Sequence, residues 1–242
     1  MNVTVIKDFI NSIPTDLIEI IETLEYYGFD MRIVGGAVRD ILLDNSPRDI
    51  DIATDATPDE IMFILNRMKS VISDVDSTGL EHGTIRAITI EGNEYEITSL
   101  AFRIRERSKT IKVTQHRDWK IDALRRDFTF NAMSVSMNGT VFDYLGGLRD
   151  LVNQRVRFIG FYKTKILLEP KVALRFAKTL AKFPDPKYNK SIIDFLSARG
   201  SKLLSQIKPN TLKWFLDEIK LQPYPDSATP VLRALGIPPR LS

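Results

Sequence analysis

The chain has 242 residues, is 43% hydrophobic and 27% charged, carries a formal net charge of +3 and contains no cysteine. That composition fits one large or two small globular domains and excludes fibrous, low-complexity and disulfide-scaffold classes, and thiolate metal sites with them. Two histidines, His82 and His116, exclude a histidine-rich metal site, and no apolar run or leader-like N-terminus points to a membrane, so the expected setting is cytoplasmic with no membrane partner.

In chain order, Leu17, Ile18, Ile21 and Leu24 predict an amphipathic helix over 15–28. Residues 31–34 form a short apolar strand running into Gly35-Gly36, with a helix over 36–43. Residues 48–53 read as a buried strand with Asp49 and Asp51 on one face and Ile50 and Ile52 on the other. Two carboxylates side by side repel unless a cation sits between them, and Mg²⁺ takes such oxygens together with substrate phosphates. The glycine pair lets the backbone approach a phosphate, and the N-terminus of the next helix offers it free N–H groups. Thr57-Pro58-Asp59-Glu60 starts a helix continuing through Ile61, Ile64, Leu65 and Met68. Strands over 84–90 and 93–100 join at Glu91-Gly92-Asn93, and the second sets Glu94, Glu96 and Thr98 on one face.

Residues 103–120 carry Arg103, Arg105, Arg107, Lys109, Lys112, Arg117 and Lys120 and read as a mobile loop or irregular ribbon. From about 163 onward helical signals dominate, broken by Pro184, Pro186, Pro223, Pro225 and Pro238-Pro239. The small net charge conceals an asymmetry: residues 1–150 hold 17 Lys/Arg against 25 Asp/Glu, net −8, and residues 151–242 hold 17 against 6, net +11. The expected layout is α+β, a mixed-sheet domain over 1–150 followed by a small, basic, mainly helical domain over 151–242 that attracts polyanions.

Four motifs recur in order: Gly35-Gly36-Ala37-Val38-Arg39-Asp40 followed by Pro47, Asp49-Ile50-Asp51 and Thr54; Tyr95-Glu96-Ile97-Thr98-Ser99; Arg125-Arg126-Asp127-Phe128-Thr129-Phe130-Asn131-Ala132-Met133; and 141–151. Together they resemble the class II tRNA nucleotidyltransferase (CCA-adding enzyme) and bacterial poly(A) polymerase family, strongly to residue 151 and weakly to about 183. The resemblance implies a polymerase beta-like nucleotidyltransferase head, Mg²⁺ with Mn²⁺ as a substitute, ATP and CTP as substrates, and a tRNA or other RNA 3′ end as acceptor. An RNA 3′-hydroxyl would attack the α-phosphate in line between two metal ions about 4 Å apart. Asp49 and Asp51 would bridge the ions, and Glu96, selected over Glu94 by its motif, would hold the one that activates the hydroxyl. Gly35, Gly36 and Arg39 would take the triphosphate, with Asp40 orienting Arg39. Arg126 and Asp127 would recognise the ribose, with Asn131 of the same motif counted among the nucleotide-binding residues. Read without the family, Arg-Arg-Asp also suits a surface salt-bridge cluster. His82-Gly83-Thr84 matches a further family element for which a turn role and a catalytic role stay equally open.

The match weakens after residue 151. The family carries Glu-Asp-x-x-Arg ahead of Arg-Ala-x-Arg-Phe, and its Asp and Arg read the base of the incoming C or A. Here Arg175-Phe176 fits the end of that element, making Arg175 a phosphate or nucleotide ligand. Counted back without a gap, the selecting positions fall on Ile166 and Glu169 and the intervening Arg on Val172. Glu169 is then the nearest polar residue to face the base, although six residues from Arg175 do not share a helical stripe well. A carboxylate accepts from the exocyclic amine of C or A, and an Arg donates to ring acceptors of both, so relaxed selectivity is expected, with A favoured over C at the terminal step. The chain ends soon after this neck, so RNA capture should rest on 151–242 and on 103–120, mostly through phosphates. A poly(A) polymerase-like or single-nucleotide-adding enzyme, and a catalytically silent RNA- or nucleotide-binding module, are the alternatives. The sequence assigns no oligomeric state.

Overall fold

The computed structural model describes residues 3–80, 83–105, 111–115 and 117–238. His82, and with it the reading of His82-Gly83-Thr84, lies outside them, as do His116 and residues 106–110 of the basic stretch. The chain divides into two compact units, Met1–Arg126 with Phe130–Gly147 and Asp127–Thr129 with Leu148–Ser242. The Arg-Arg-Asp motif is thus divided, Arg126 belonging to the first unit and Asp127 to the second.

The first unit runs α1 (Val3–Asn11), α2 (Thr15–Tyr26), β1 (Met31–Val34), α3 (Gly36–Leu42), β2 (Ile52–Thr54), α4 (Pro58–Leu65), β3 (Ile72–Asp76), β4 (Thr84–Thr89), β5 (Glu94–Ser99), β6 (Ala101–Arg105), β7 (Ile111–Gln115), α5 (Trp119–Arg125), β8 (Ser134–Ser136) and β9 (Val141–Phe142). Seven strands form one mixed sheet in the order β3-β4-β5-β2-β1-β8-β9. Its parallel pair is β2–β5, and the neighbouring β1–β2 and β4–β5 pairs are antiparallel. In α2 the buried stripe is Leu17, Ile20, Ile21 and Leu24, so Ile20 replaces the expected Ile18 as the 3.6-residue period requires. Asp16, buried at the start of α2, accepts from Leu17 N, Asn93 Nδ2 and Tyr95 Oη, each at 2.8 Å, which ties the helix to the β4–β5 hairpin. The start of α4 is a capping box: Thr57 N donates to Glu60 Oε2 at 2.8 Å and Glu60 N donates to Thr57 Oγ1 at 3.3 Å.

Three local readings need correction. The strand expected over 48–53 is only Ile52–Thr54; Asp49 and Asp51 precede it in irregular, exposed backbone. Val34 N still donates to Asp51 O at 2.9 Å, so Asp51 adds one rung beyond the ladder while its charged side chain stays out of the core. The basic stretch over 103–120 is not an irregular ribbon in its described parts: β6 and β7 pair antiparallel from Ala101↔Gln115 to Arg105↔Ile111, and α5 follows, with Asp118 accepting from Lys120 N at its start. The chain also forms β3, an edge strand with a register shift between Ile72 and Asp74, whose Ser73, Asp74 and Asp76 hide any apolar alternation.

The second unit is helical: α6 (Gly147–Val152) from its second residue on, α7 (Tyr162–Leu168), α8 (Lys171–Leu180), α9 (Ser191–Ser197), α10 (Gly200–Leu204), α11 (Pro209–Lys220) and α12 (Thr229–Ala234). Its core gathers Phe128, Phe158 and Phe176, with ring centroids 4.8 to 6.1 Å apart. No described helix is long and apolar enough to cross a membrane.

Candidate functional site

In the first unit the site grows from the Gly35-Gly36 turn between β1 and α3. Gly35 has φ 75° and ψ −135°, a conformation that only glycine adopts without strain. A Cβ there would stand 3.1 Å from Arg126 Nη1 and 3.3 Å from Asp51 Oδ2, so the missing side chain is what lets a cation and a carboxylate close over the turn. Arg39, buried in α3, folds back over Gly36. Its Nε donates to Asp40 Oδ1 at 2.9 Å, its Nη2 to Asp40 Oδ2 at 2.8 Å and its Nη1 to Asn131 Oδ1 at 2.8 Å. Three of the five guanidinium N–H groups are committed to protein, which fixes the plane of the group and leaves the others for a ligand.

Partial desolvation under this turn raises the Asp51 carboxyl above its ordinary value; Arg126 pulls it down, while the charges of Asp49 and Glu96 push it up again. The field links the three carboxylates proposed from sequence. Register explains it: β2 and β5 are parallel with Ile52↔Ile97, so one residue back Asp51 lies beside Glu96. Glu96 is 61% exposed and stands 3.8 Å from Arg86, which also reaches Glu94 at 3.4 Å. Among the described residues no three His, Cys, Asp or Glu side chains converge closely enough to hold a metal ion. Asp49, Asp51 and Glu96 are hard oxygen donors of the kind that Mg²⁺ takes together with phosphate oxygens.

Asp122 is the residue that the sequence reading missed. It is 2% exposed and accepts from Arg125 Nε at 2.6 Å and Arg126 Nε at 2.9 Å. Burial raises its carboxyl, but Arg126 and Arg125 outweigh that and hold it below the ordinary range. Its spacing, three and four residues before the two arginines, marks it once a helix is recognised over Trp119–Arg125.

The second unit holds a separate cluster around Arg175. Its Nε donates to Asp127 Oδ2 at 2.6 Å, and its two Nη atoms fork onto Glu169 at 3.2 and 3.0 Å. Lys171 adds to Glu169 at 3.0 Å, and Lys165 stands 4.0 Å from Asp127. Glu169 ends α7 and Arg175 sits within α8, with Pro170 between them. Their six-residue separation is bridged by the turn between helices, not by a helical stripe. Burial pushes the Glu169 carboxyl up, but the hydrogen bonds and charge of Arg175, then Lys171, bring it down to about 2. Burial lowers Lys165, partly offset by Asp127. Ile166, counted back onto the position of the selecting Asp, and Val172, onto that of the intervening Arg, are core side chains.

A family model described as the poly A polymerase head domain matches residues 31–157, more than half of the chain and the whole glycine-turn site. The chain belongs to that family. Among curated relatives of this head-domain family, the mitochondrial CCA tRNA nucleotidyltransferase 1 of Danio rerio is 36% identical over 160 residues, covering 66% of this chain and 36% of the relative. The CCA-adding enzyme of Leuconostoc citreum is 35% identical over 181 residues, covering 71% and 42%. The chain thus spans well under two thirds of the length of these relatives. In structure it resembles the Bacillus stearothermophilus CCA-adding enzyme in complex with CTP, with TM-score 0.75 and 26% identity over 92% of this chain and 52% of that one. The Thermotoga maritima CCA-adding enzyme complexed with tRNA shares the fold, with TM-score 0.73 and 20% identity over 96% of this chain and 54% of that one. Lys165, Glu169 and Arg175 lie beyond the residues that the poly A polymerase head model matches.

Proposed function

We propose that this chain is a template-independent RNA nucleotidyltransferase that adds CMP and AMP to tRNA 3′ ends from CTP and ATP. The observation that carries the reading is the Gly35 turn, where Asp51 and Arg126 close over a position that has no room for a side chain and where the charges of Asp49 and Glu96 act on the Asp51 carboxylate. The CCA-adding enzymes among the relatives, and the CTP and tRNA held by two of the structural neighbours, support it. Mg²⁺ or Mn²⁺, held by Asp49 and Asp51 with Glu96 beside them, would stabilise charge on the reacting phosphate and activate the 3′-hydroxyl.

The chain's own residues do the positioning. The glycine turn brings backbone against the triphosphate, and Arg39, locked by Asp40 and Asn131, presents its remaining donors to phosphate oxygens. Arg126, braced by Asp122, balances charge opposite Asp51. The 3′-oxygen forms a bond to the α-phosphorus as the bond to pyrophosphate breaks. In the second unit Asp127 and Glu169 hold the plane of Arg175, whose remaining donors suit phosphate oxygens or the ring acceptors that C and A share, so relaxed base selectivity with A favoured at the terminal step is the expected behaviour.

Labelled CTP or ATP incubated with tRNAs ending at the discriminator base, C or CC tests this. Stepwise addition of C, C and A supports it, long A runs alone convert it to a poly(A) polymerase reading, and no extension of any RNA with Mg²⁺ or Mn²⁺ rejects it. The unmatched Glu-Asp-x-x-Arg element, with buried Ile166 at the position of its Asp, favours one second reading, a silent RNA- or nucleotide-binding module, which predicts tRNA binding with no incorporation.

A further inference from the structure

The second unit contains a basic hollow that none of the nucleotide-handling residues lines. It is a cavity of about 670 Å³ formed by Arg149, Arg155 and Lys187 with Asn153, Tyr188 and Asn189, and with Asp150 in its wall. Backbone builds it. Lys187 N donates to Gln154 O and Val156 N donates to Lys187 O, each at 2.8 Å, so Arg155 and Lys187 lie abreast as partners of a parallel bridge. Arg149 comes from α6. The one carboxylate present, Asp150, is 1% exposed and already accepts from Thr129 Oγ1 at 2.6 Å and Arg157 Nε at 2.7 Å. Among the described residues Arg149, Arg155 and Lys187 have no ion-pair partner, and all three are exposed. Three cations lining one hollow, with the nearby carboxylate committed elsewhere, make a field that attracts a polyanion.

A second cavity of about 210 Å³ shares Arg155, Tyr188 and Asn189 with the first and extends over Phe158 and Tyr162. Tyr188 is braced edge-on against Phe176 at 5.6 Å, and Tyr162 stands 6.1 Å from Phe158. Cations at one end and supported aromatic rings at the other are the two halves of a single-stranded nucleic-acid contact: phosphates on Arg and Lys, a base on an aromatic face. The space, about 670 Å³, exceeds what a lone phosphate fills, and three cations line it.

We propose that this hollow is a second RNA contact, holding phosphates of an unpaired segment on Arg149, Arg155 and Lys187 with a base against Tyr188 and Tyr162. It rests on the reading of the chain as an RNA nucleotidyltransferase and names where that RNA is held apart from its reacting end. The test uses the full chain with Arg155→Glu and Lys187→Glu, against a control of equal charge change on exposed helix faces, Lys202→Glu with Lys213→Glu. Fluorescein-labelled tRNA is titrated by anisotropy across a salt series, and CTP binding is measured in parallel. The hollow variant should lose about tenfold or more in tRNA affinity and reduce the salt slope by about 1.5 to 2, the share of two phosphate contacts. The control should lose only a few-fold, and CTP binding should be unchanged in both. Equal losses in hollow and control variants, or unchanged affinity in the hollow variant while CTP still binds, would overturn the proposal and leave the enzymatic reading intact. A wild-type chain that binds neither CTP nor tRNA rejects both. Arg155→Ala with Lys187→Ala, checked by thermal melting, guards against misfolding, and 4-thiouridine tRNA should cross-link to Tyr162 or Tyr188. Cross-links only to other peptides would count against the site.

Discussion

Two carboxylate clusters in this protein are built on opposite principles. Around Asp51 in the first unit, partial desolvation and two carboxylate neighbours raise the carboxyl, and Arg126 offsets them only in part. Around Glu169 in the second unit, a forked Arg175 and Lys171 more than offset burial and bring the carboxyl down to about 2. The first arrangement leaves carboxylate repulsion uncompensated by protein charge, which a cation would relieve. The second is complete in itself and offers a ligand a fixed guanidinium. The contrast separates a carboxylate raised by its surroundings, the kind of shift that accompanies reactive groups, from one lowered by a bound arginine, the kind that holds a side chain in place.

The sharpest way to break this contrast is Asp51→Asn. If the crowded carboxylate serves catalysis, nucleotide incorporation should fall about 10³-fold or more, while the melting temperature holds or rises because a like charge has been removed. A variant that keeps its turnover would place the chemistry elsewhere. Gly35→Ala comes next. The backbone conformation costs about 1–3 kcal/mol for a side chain, and the new Cβ would shift Arg126 and Asp51, so incorporation should drop about 100-fold by single-turnover assay. An activity loss no greater than an equally destabilising substitution in the core would refute the role of the close approach.

The compensated cluster should respond differently. Glu169→Ala should alter the ratio of CMP to AMP incorporated by several-fold while leaving phosphoryl transfer running, and an unchanged ratio would remove Glu169 from base selection. Arg175→Met leaves Asp127 and Glu169 without their shared cation and should cost about 1–2 kcal/mol in denaturant unfolding, partly recovered by adding Glu169→Gln; a double-mutant cycle measures the coupling. The smallest effect is with pH. Glu169 has a folded value below its ordinary 4.5, so its stabilisation is present above about 4.5 and fades as pH falls toward 2. Because its side chain is 45% exposed, the effect is roughly half a kcal/mol or less. The melting difference between wild type and Glu169→Gln should therefore be full at pH 6, shrink between about pH 4.5 and 2, and be gone only below about pH 2.

Much of the local structure was legible because it rests on short-range rules. Thr57 and Glu60 announce the capping box, and Gly92 with φ 86° makes the turn between β4 and β5. Gly35-Gly36 before an amphipathic segment marks the entry to α3. Where polar residues lay on an edge or in a hairpin, the pattern failed: β3 and the β6–β7 pair satisfy their backbone through partners that the period of the side chains does not reveal. The same limit applied to Asp49 and Asp51, whose alternation suggested a buried strand although their charge keeps them ahead of it.

By itself the sequence determined the residue types, the order of the motifs and the opposite charges of the two halves of the chain, because these follow from composition and spacing. Only the tertiary structure decided which groups meet. The parallel β2–β5 register carries Asp51 to Glu96, the missing Cβ of Gly35 admits Arg126, and the turn at Pro170 folds Glu169 back onto Arg175. Those meetings join residues from different elements, and their energy depends on burial and distance, quantities that exist only once the chain is folded.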